Sequence, residues 1–399
     1  MTAQAYVPPF SRSDPSPIAQ WFWTVDRGLL AAALALMAIG VTLSFAASPA
    51  AILAEDGITD PFHYALRMIV FVSLGLTAMV GASFMTPRGV RRIAVLALVG
   101  AIVVMALLPF IGHEAKGASR WINLGPFGLQ PSEFAKPAVI VFSAWMFAEG
   151  QKGQGVPGVT IAFVAYAATV GLLLLQPDIG QTLLITTTFM AVFFMIGVPL
   201  RWMAVLGSLV TAGVFGLYFA FDHVRSRVAT FVTPGVEDTY QIDRASEAIR
   251  AGGLVGRGVG EGVMKRNVPD LHTDFIYSVG AEEFGLMLSL LIIGLYAFIV
   301  VRGLSRALRL VDPFEQTAAA GLFMLIGLQA CINVAVNLNV IPTKGMTLPF
   351  ISYGGSSMLA MGLTMGLALA LTRKRPGAFL PGGSGLLWPG AALLKRASA

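Results

Sequence analysis

LLAAALALMAIGVTLSFAA, residues 29–47, has no charged side chain and nothing more polar than one threonine and one serine. A run of about 20 apolar residues is long enough to cross a bilayer as a helix. Nine further runs follow, at 64–84, 93–111, 134–148, 159–175, 180–198, 203–221, 275–301, 318–340 and 356–371. The fold class that follows is an all-α polytopic membrane protein with about ten transmembrane helices. Pro177 and Gly180 interrupt the fifth and sixth runs, which read equally well as a broken or re-entrant pair. Composition agrees. Of 399 residues, 56% are hydrophobic and 12% charged, against about a quarter charged in a soluble protein. The one cysteine, Cys331, sits inside an apolar run, which argues against both a disulfide and a cysteine-ligated metal.

The spans divide the chain into a cytoplasmic, disordered segment 1–25, a membrane domain 26–375 and a cytoplasmic, disordered tail 376–399. No cleavable signal is evident in the polar, proline-rich start. Basic residues in short loops set the orientation. Arg88, Arg91, Arg92, Lys152, Arg201, Arg302, Arg306, Arg309, Arg373, Lys374 and Arg375 all fall on the side of the two termini, which is therefore read as cytoplasmic. The large extracytoplasmic loop 222–274, between the seventh and eighth helices, breaks that pattern. It carries Arg225, Arg227, Arg244, Arg250, Arg257, Lys265 and Arg266. Either these charges solubilise the loop or they meet an anionic ligand. The formal net charge of +6 suits anionic membrane lipid, and no nucleic-acid partner is expected.

Four segments concentrate polar chemistry on the outer side. In GASRWINLGPFGLQPSEFAK (117–136), Ser132 is placed to cap the following helix. Lys136 sits one turn inside that helix, three residues from Glu133. A lysine there needs an ion-pair partner or a polar cavity, and with Arg120 it offers charge to a phosphate. QPDIG (176–180) places Asp178 either as a helix cap or in contact with substrate or metal. The third segment, GRGVGEGVMKRNVPDLHTDFIYSVGAEEFG (256–285), joins a glycine run to Lys265, Arg266, His272, Thr273 and Asp274. Its glycines read as a hinge or as backbone exposed to an anion. Asp274 reads as a helix cap or as a reactive acid at the membrane boundary, with Ser278 and Glu282 on its helical face. Glu282 and Glu283 lie deeper and must face the bundle interior. The fourth, IPTKGMTLPFISYGGSSM (341–358), adds Lys344 and Ser356. Gln329, Asn333 and Asn337 form a polar stripe on the preceding helix, most simply explained by interhelical hydrogen bonds.

Over these four segments the chain resembles the SEDS family (shape, elongation, division and sporulation) of integral-membrane peptidoglycan polymerases. The third segment is closer to the division branch than to the elongation branch. The resemblance implies a peptidoglycan glycosyltransferase that polymerises lipid II by β-1,4 transfer at the outer face of the bacterial inner membrane, at the division septum. It implies a class B penicillin-binding protein transpeptidase as partner, beside other divisome membrane proteins. It makes Asp274 the catalytic acid–base residue and Lys136 a functional lysine. An α donor and a β product mean a single inverting displacement, which needs a base and a cationic site for the leaving diphosphate. Asp274 is the base. Lys136, Arg120, Lys265 and Arg266 are the cations. Glu133, Asp178, His272, Thr273, Glu282, Lys344 and Ser356 complete the substrate-binding candidates. A divalent cation held by Asp178 or Glu282 is compatible with the donor set but not required by it. The rival readings are a flippase or transporter for the same lipid-linked sugar and a non-enzymatic division scaffold.

Overall fold

The structure, a computed structural model, describes residues 14, 16–52, 60–111, 113–115, 118–124, 127–197, 200–220, 225, 240–267, 271–342 and 345–375. Its helices are α1 (Pro17–Thr24), α2 (Arg27–Ile52), α3 (His63–Ser83), α4 (Pro87–Ile111), α5 (Pro131–Gln151) and α6 (Gly158–Leu175). They continue with α7 (Ile179–Met195), α8 (Leu200–Ala220), α9 (Tyr240–Gly252), α10 (Ile276–Ala307), α11 (Pro313–Asn337) and α12 (Gly355–Leu371). Each of the ten apolar runs falls on a helix, α2–α8 and α10–α12. Six of these (α2, α3, α4, α6, α10 and α11) are long and apolar enough to cross a bilayer, and α7 and α12 are shorter apolar helices. The chain is a multi-pass α-helical membrane protein.

A small antiparallel sheet interrupts the helical pattern. Its strands are β1 (His113–Ala115), β2 (Ala118–Leu124) and β3 (Phe127–Leu129), in the order β1-β2-β3. Ile122 pairs with Leu129 and Leu124 with Phe127, a hairpin standing between α4 and α5.

Small residues set how closely the helices approach. A methyl group on Gly362 of α12 would lie 2.2 Å from the Gly75 carbonyl oxygen of α3. One on Gly366 would lie 2.4 Å from that of Met79. Gly362 and Gly366 are four residues apart, the spacing that lets two membrane helices touch backbone to backbone. On α2, a methyl at Gly40 would meet the Phe350 carbonyl oxygen at 2.7 Å, so the 345–353 loop is pressed against that helix.

The glycine run has a specific use. α10 breaks at Gly285 (φ 73°, ψ −166°), which interrupts its helical ladder there. The segment after α9 fills the gap. Gly253 and Leu254 carbonyls accept from the Leu286 and Met287 N–H groups, and the Arg257 and Gly258 N–H groups donate to the Glu282 and Glu283 carbonyls. A side chain at Gly256 would put its Cβ 2.1 Å from the Glu283 oxygen. These amides are therefore neither a hinge nor an open anion cradle. They are spent on the helix, on the backbone groups that its break sets free.

The ends of α2, α10, α11 and α12 that lie together are fastened by ion pairs. Buried Asp26 caps α2 through the Leu29 N–H (3.0 Å) and pairs with Arg302 (2.9 Å) and Arg306. Arg306 also donates to the Thr372 carbonyl (3.0 Å), and Arg375 pairs with Glu315 (3.0 Å). Burial would raise the Asp26 carboxyl, but Arg302, the Leu29 N–H and Arg306 outweigh it and hold the group below the ordinary aspartate range. A carboxyl depressed in the folded state contributes stability at neutral pH and loses it as pH falls through its folded value.

Asp26→Asn should therefore lower the thermal midpoint at pH 7 in detergent, with the gap to the parent protein narrowing on acidification. Gly362→Leu should lower the midpoint by overpacking, a cost of about 1–3 kcal/mol or more. Gly171→Leu on α6, where nothing lies within 4 Å, should leave it unchanged. Equal midpoints for Gly362→Leu and the parent would show that the α3–α12 contact is not close.

Candidate functional site

At the other end of the bundle, the first, second and fourth polar segments meet the His272–Asp274 part of the third. Asp178 precedes α7 and accepts from the Gln181 N–H at 3.2 Å, so it is the cap of that helix. Its other oxygen lies 3.5 Å from the Gln130 amide nitrogen. Burial pushes the Asp178 carboxyl up, opposed chiefly by the charge of Arg120. Arg120, on β2, donates to the Gln176 and Pro177 carbonyls (2.9 and 2.7 Å) and so pins the sheet to the α6–α7 turn. Its Nη1 nitrogen makes no hydrogen bond among the described residues.

Lys136 has no exposure to solvent. Its ammonium lies 2.9 Å from Glu133 Oε2 and 2.8 Å from Gln329 Oε1. The second Glu133 oxygen accepts from the Gln181 amide (2.8 Å). Gln329 donates onward to the Thr347 carbonyl (3.0 Å), and the Thr347 hydroxyl is 2.6 Å from Ser357 Oγ. A continuous polar chain thus runs from α7 through α5 and α11 to α12. The local Glu133–Lys136 pair is present, and Gln329 extends it. Gln181 was not singled out in the sequence, where its one signal is its place three residues after a capping aspartate.

Asp274 is half-buried and directly precedes α10. It does not cap that helix: Phe275 holds the cap position, with no side-chain bond. The Asp274 carbonyl accepts from the amides of Asn333 and Asn337, both at 3.0 Å. Asn333 also reaches the Met346 carbonyl (2.6 Å), and Ser278 donates to Asn337 (2.7 Å). A methyl group on Gly345 would lie 3.9 Å from Asp274 Oδ2, so the fourth segment passes directly beside the carboxylate. His272 stacks on Tyr64 (4.3 Å) and meets Tyr353 edge-on, and its carbonyl accepts the Tyr353 N–H (3.0 Å). Thr273, which joins His272 to Asp274 in the chain, is half-buried. The polar stripe on α11 therefore ties Lys136 at one end to Asp274 at the other, through one rigid helix.

Other expectations need correction. Ser132 is not the cap of α5: Gln130 holds that position, and the Ser132 hydroxyl is buried with no partner among the described residues. Ser356 is also buried, its hydroxyl likewise unpartnered there. Glu282 does not join Asp274. Both its oxygens accept backbone N–H groups, from Met264 and Lys265 at 2.8 Å. Lys265 is buried against Glu283 and the Ala46 carbonyl, away from the Lys136 chain. Among the described residues no group of three His, Cys, Asp or Glu side chains converges on a metal site. The Arg266 side chain and Lys344 lie outside the described residues.

Removing one member of a buried ion pair strands the other, at about 3–5 kcal/mol. Lys136→Met should accordingly lower the thermal midpoint strongly, and Glu133→Gln with Lys136→Met should recover much of the loss. A double variant no more stable than Lys136→Met would mean that Lys136 acts through other contacts.

Comparison with known proteins places this architecture. The sequence profile of the cell cycle protein family of FtsW, RodA and SpoVE matches residues 27–376. The chain is 62% identical over 370 residues to the probable peptidoglycan glycosyltransferase FtsW of Caulobacter vibrioides (strain NA1000 / CB15N), covering 93% of this chain and 95% of that one. It is 34% identical over 362 residues to the probable peptidoglycan glycosyltransferase FtsW of Geobacter metallireducens, covering 88% and 96%. Among solved structures it is similar to a chain of a peptidoglycan synthase complex (TM-score 0.71, 28% identity, 87% of this chain and 97% of that one). It is also similar to the rod shape determining protein RodA of Thermus thermophilus (TM-score 0.63, 28% identity, 87% and 96%). The chain belongs to the FtsW, RodA and SpoVE family of cell cycle proteins.

Proposed function

We propose that the chain joins lipid II units into glycan strands by inverting β-1,4 transfer, with Asp274 as the base that deprotonates the incoming sugar hydroxyl. That it is a peptidoglycan glycosyltransferase follows from its family and from the FtsW relatives it matches almost end to end. The observation that carries the residue assignment is the placement of Asp274. Its carbonyl is locked by two asparagines, and its carboxylate, on a half-buried residue, stands beside Gly345. A general base must have its backbone fixed and its oxygens within reach of substrate, and it typically contributes 10²–10⁴-fold.

The cation roles divide differently from the sequence reading. Lys136 and Lys265 are buried and paired, so they position their surroundings rather than meet the diphosphate. Arg120 is half-buried and retains one nitrogen, which makes it the described cation suited to the leaving group. Arg266 and Lys344 are the further candidates. The site end of the bundle faces the periplasm and both termini face the cytoplasm, as the loop arginines argue. The ten apolar helices are all spans, and the protein works in the inner membrane at the division septum. A class B penicillin-binding protein cross-links the strands it makes. The solved likeness to a chain of a peptidoglycan synthase complex supports that pairing.

Purified parent protein incubated with lipid II should yield glycan chains. Asp274→Asn should lose polymerisation about 10²–10⁴-fold while keeping the parent's thermal midpoint. An active Asp274→Asn protein would remove the base assignment; an inactive, well-folded parent protein would remove the polymerase reading.

A further inference from the structure

The segment that repairs the break in α10 is apolar on its outside. Leu254 and Val255 are 70% and 76% exposed, and Val259 and Val263 are exposed as well. Exposed apolar clusters of this kind need a covering phase. What covers this one follows from its register on α10. The backbone of Gly253 and Leu254 is hydrogen-bonded to Leu286 and Met287, so the two pairs lie at the same height. Leu286 stands sixteen residues above Arg302, whose guanidinium is fixed to Asp26 at the clamped end. At 1.5 Å per residue that is about 24 Å, inside a hydrocarbon layer roughly 30 Å thick. Met287 is 72% exposed on this spanning helix and so faces lipid.

We propose that residues 253–263 are seated in the membrane, in the leaflet on the Asp274 side, with Leu254, Val255, Val259 and Val263 among the acyl chains. This rests on the helix spanning the bilayer and is independent of the chemistry assigned to Asp274. The backbone pattern fits. Non-helical chain at membrane depth needs its polar groups satisfied by protein, and here the Gly253 and Leu254 carbonyls and the Gly256, Arg257 and Gly258 N–H groups are all bonded within the protein. The exposed Arg257 and Glu261 keep the dip shallow, because their charges belong at the headgroup level, where long side chains snorkel. The partner surface is therefore the apolar edge of a lipid leaflet, continuous with the outer face of α10.

The test uses the full chain alone, with Cys331→Ser, in vesicles of phosphatidylethanolamine and phosphatidylglycerol. A nitroxide is attached at Val255→Cys or Val259→Cys, with Met287→Cys as the lipid reference and Glu247→Cys, exposed on α9, as the water reference. Thermal midpoints confirm that each variant is folded. Labels at 255 and 259 should match 287, with nickel-chelate collisions lost and oxygen collisions gained relative to 247. Labels that match 247 would overturn the proposal in favour of a water-facing surface. Labels shielded from both quenchers would overturn it in favour of contact with protein.

Discussion

An ammonium group with no water beside it must be given both a counter-charge and acceptors for its protons, and Lys136 obtains these from two helices at once. Glu133 supplies the charge from the same helix, and Gln329 supplies a carbonyl oxygen from α11. Each partner is then bound in turn, Glu133 by Gln181 and Gln329 to Thr347. In a low-dielectric interior such a network is costly if any member is missing. The relative placement of α5, α7, α11 and the 345–357 segment follows from it. Because Asn333 and Asn337 lie on the same stripe of α11, the constraint that satisfies Lys136 also fixes the height of Asp274.

Backbone groups obey the same rule. Where α10 loses its own ladder at Gly285, the freed carbonyls and amides are taken up by a second chain segment rather than left open. That repair admits no side chain at Gly252 or Gly256, whose Cβ atoms would meet carbonyl oxygens at 1.8 and 2.1 Å. Glu282 serves a related purpose, holding two amides of the Met264–Asn267 turn with its two oxygens. A carboxylate that looks reactive by its depth can thus be wholly occupied in holding a loop.

The helices were legible because twenty consecutive apolar residues have few other structural meanings. The polar stripe of α11 was legible too, since Gln329, Asn333 and Asn337 repeat at helical spacing. The Asp178 cap and the Glu133–Lys136 pair are local, and their spacing announced both as alternatives. What sequence could not show is distant pairing. Lys265 and Lys136 look alike on paper, yet they belong to different clusters because their partners, Glu283 and Glu133, come from different helices. The sheet strands were hidden because ASRWINL and FGL show no regular alternation of apolar and polar residues. The break at Gly285 was hidden because glycine is common in spanning helices.

The clamp around Asp26 has a mechanical consequence. It fastens the start of α2 to the end of α10, and Arg306 adds the end of α12. α2 and α10 are joined a second time by Lys265, which donates to the Ala46 carbonyl of α2 and pairs with Glu283 of α10. α2, with 26 residues, is about 39 Å long, and Ala46 lies twenty residues, about 30 Å, beyond Asp26. Two rods fastened at points about 30 Å apart cannot splay about one tip, so a push on either end of this pair is carried to the other.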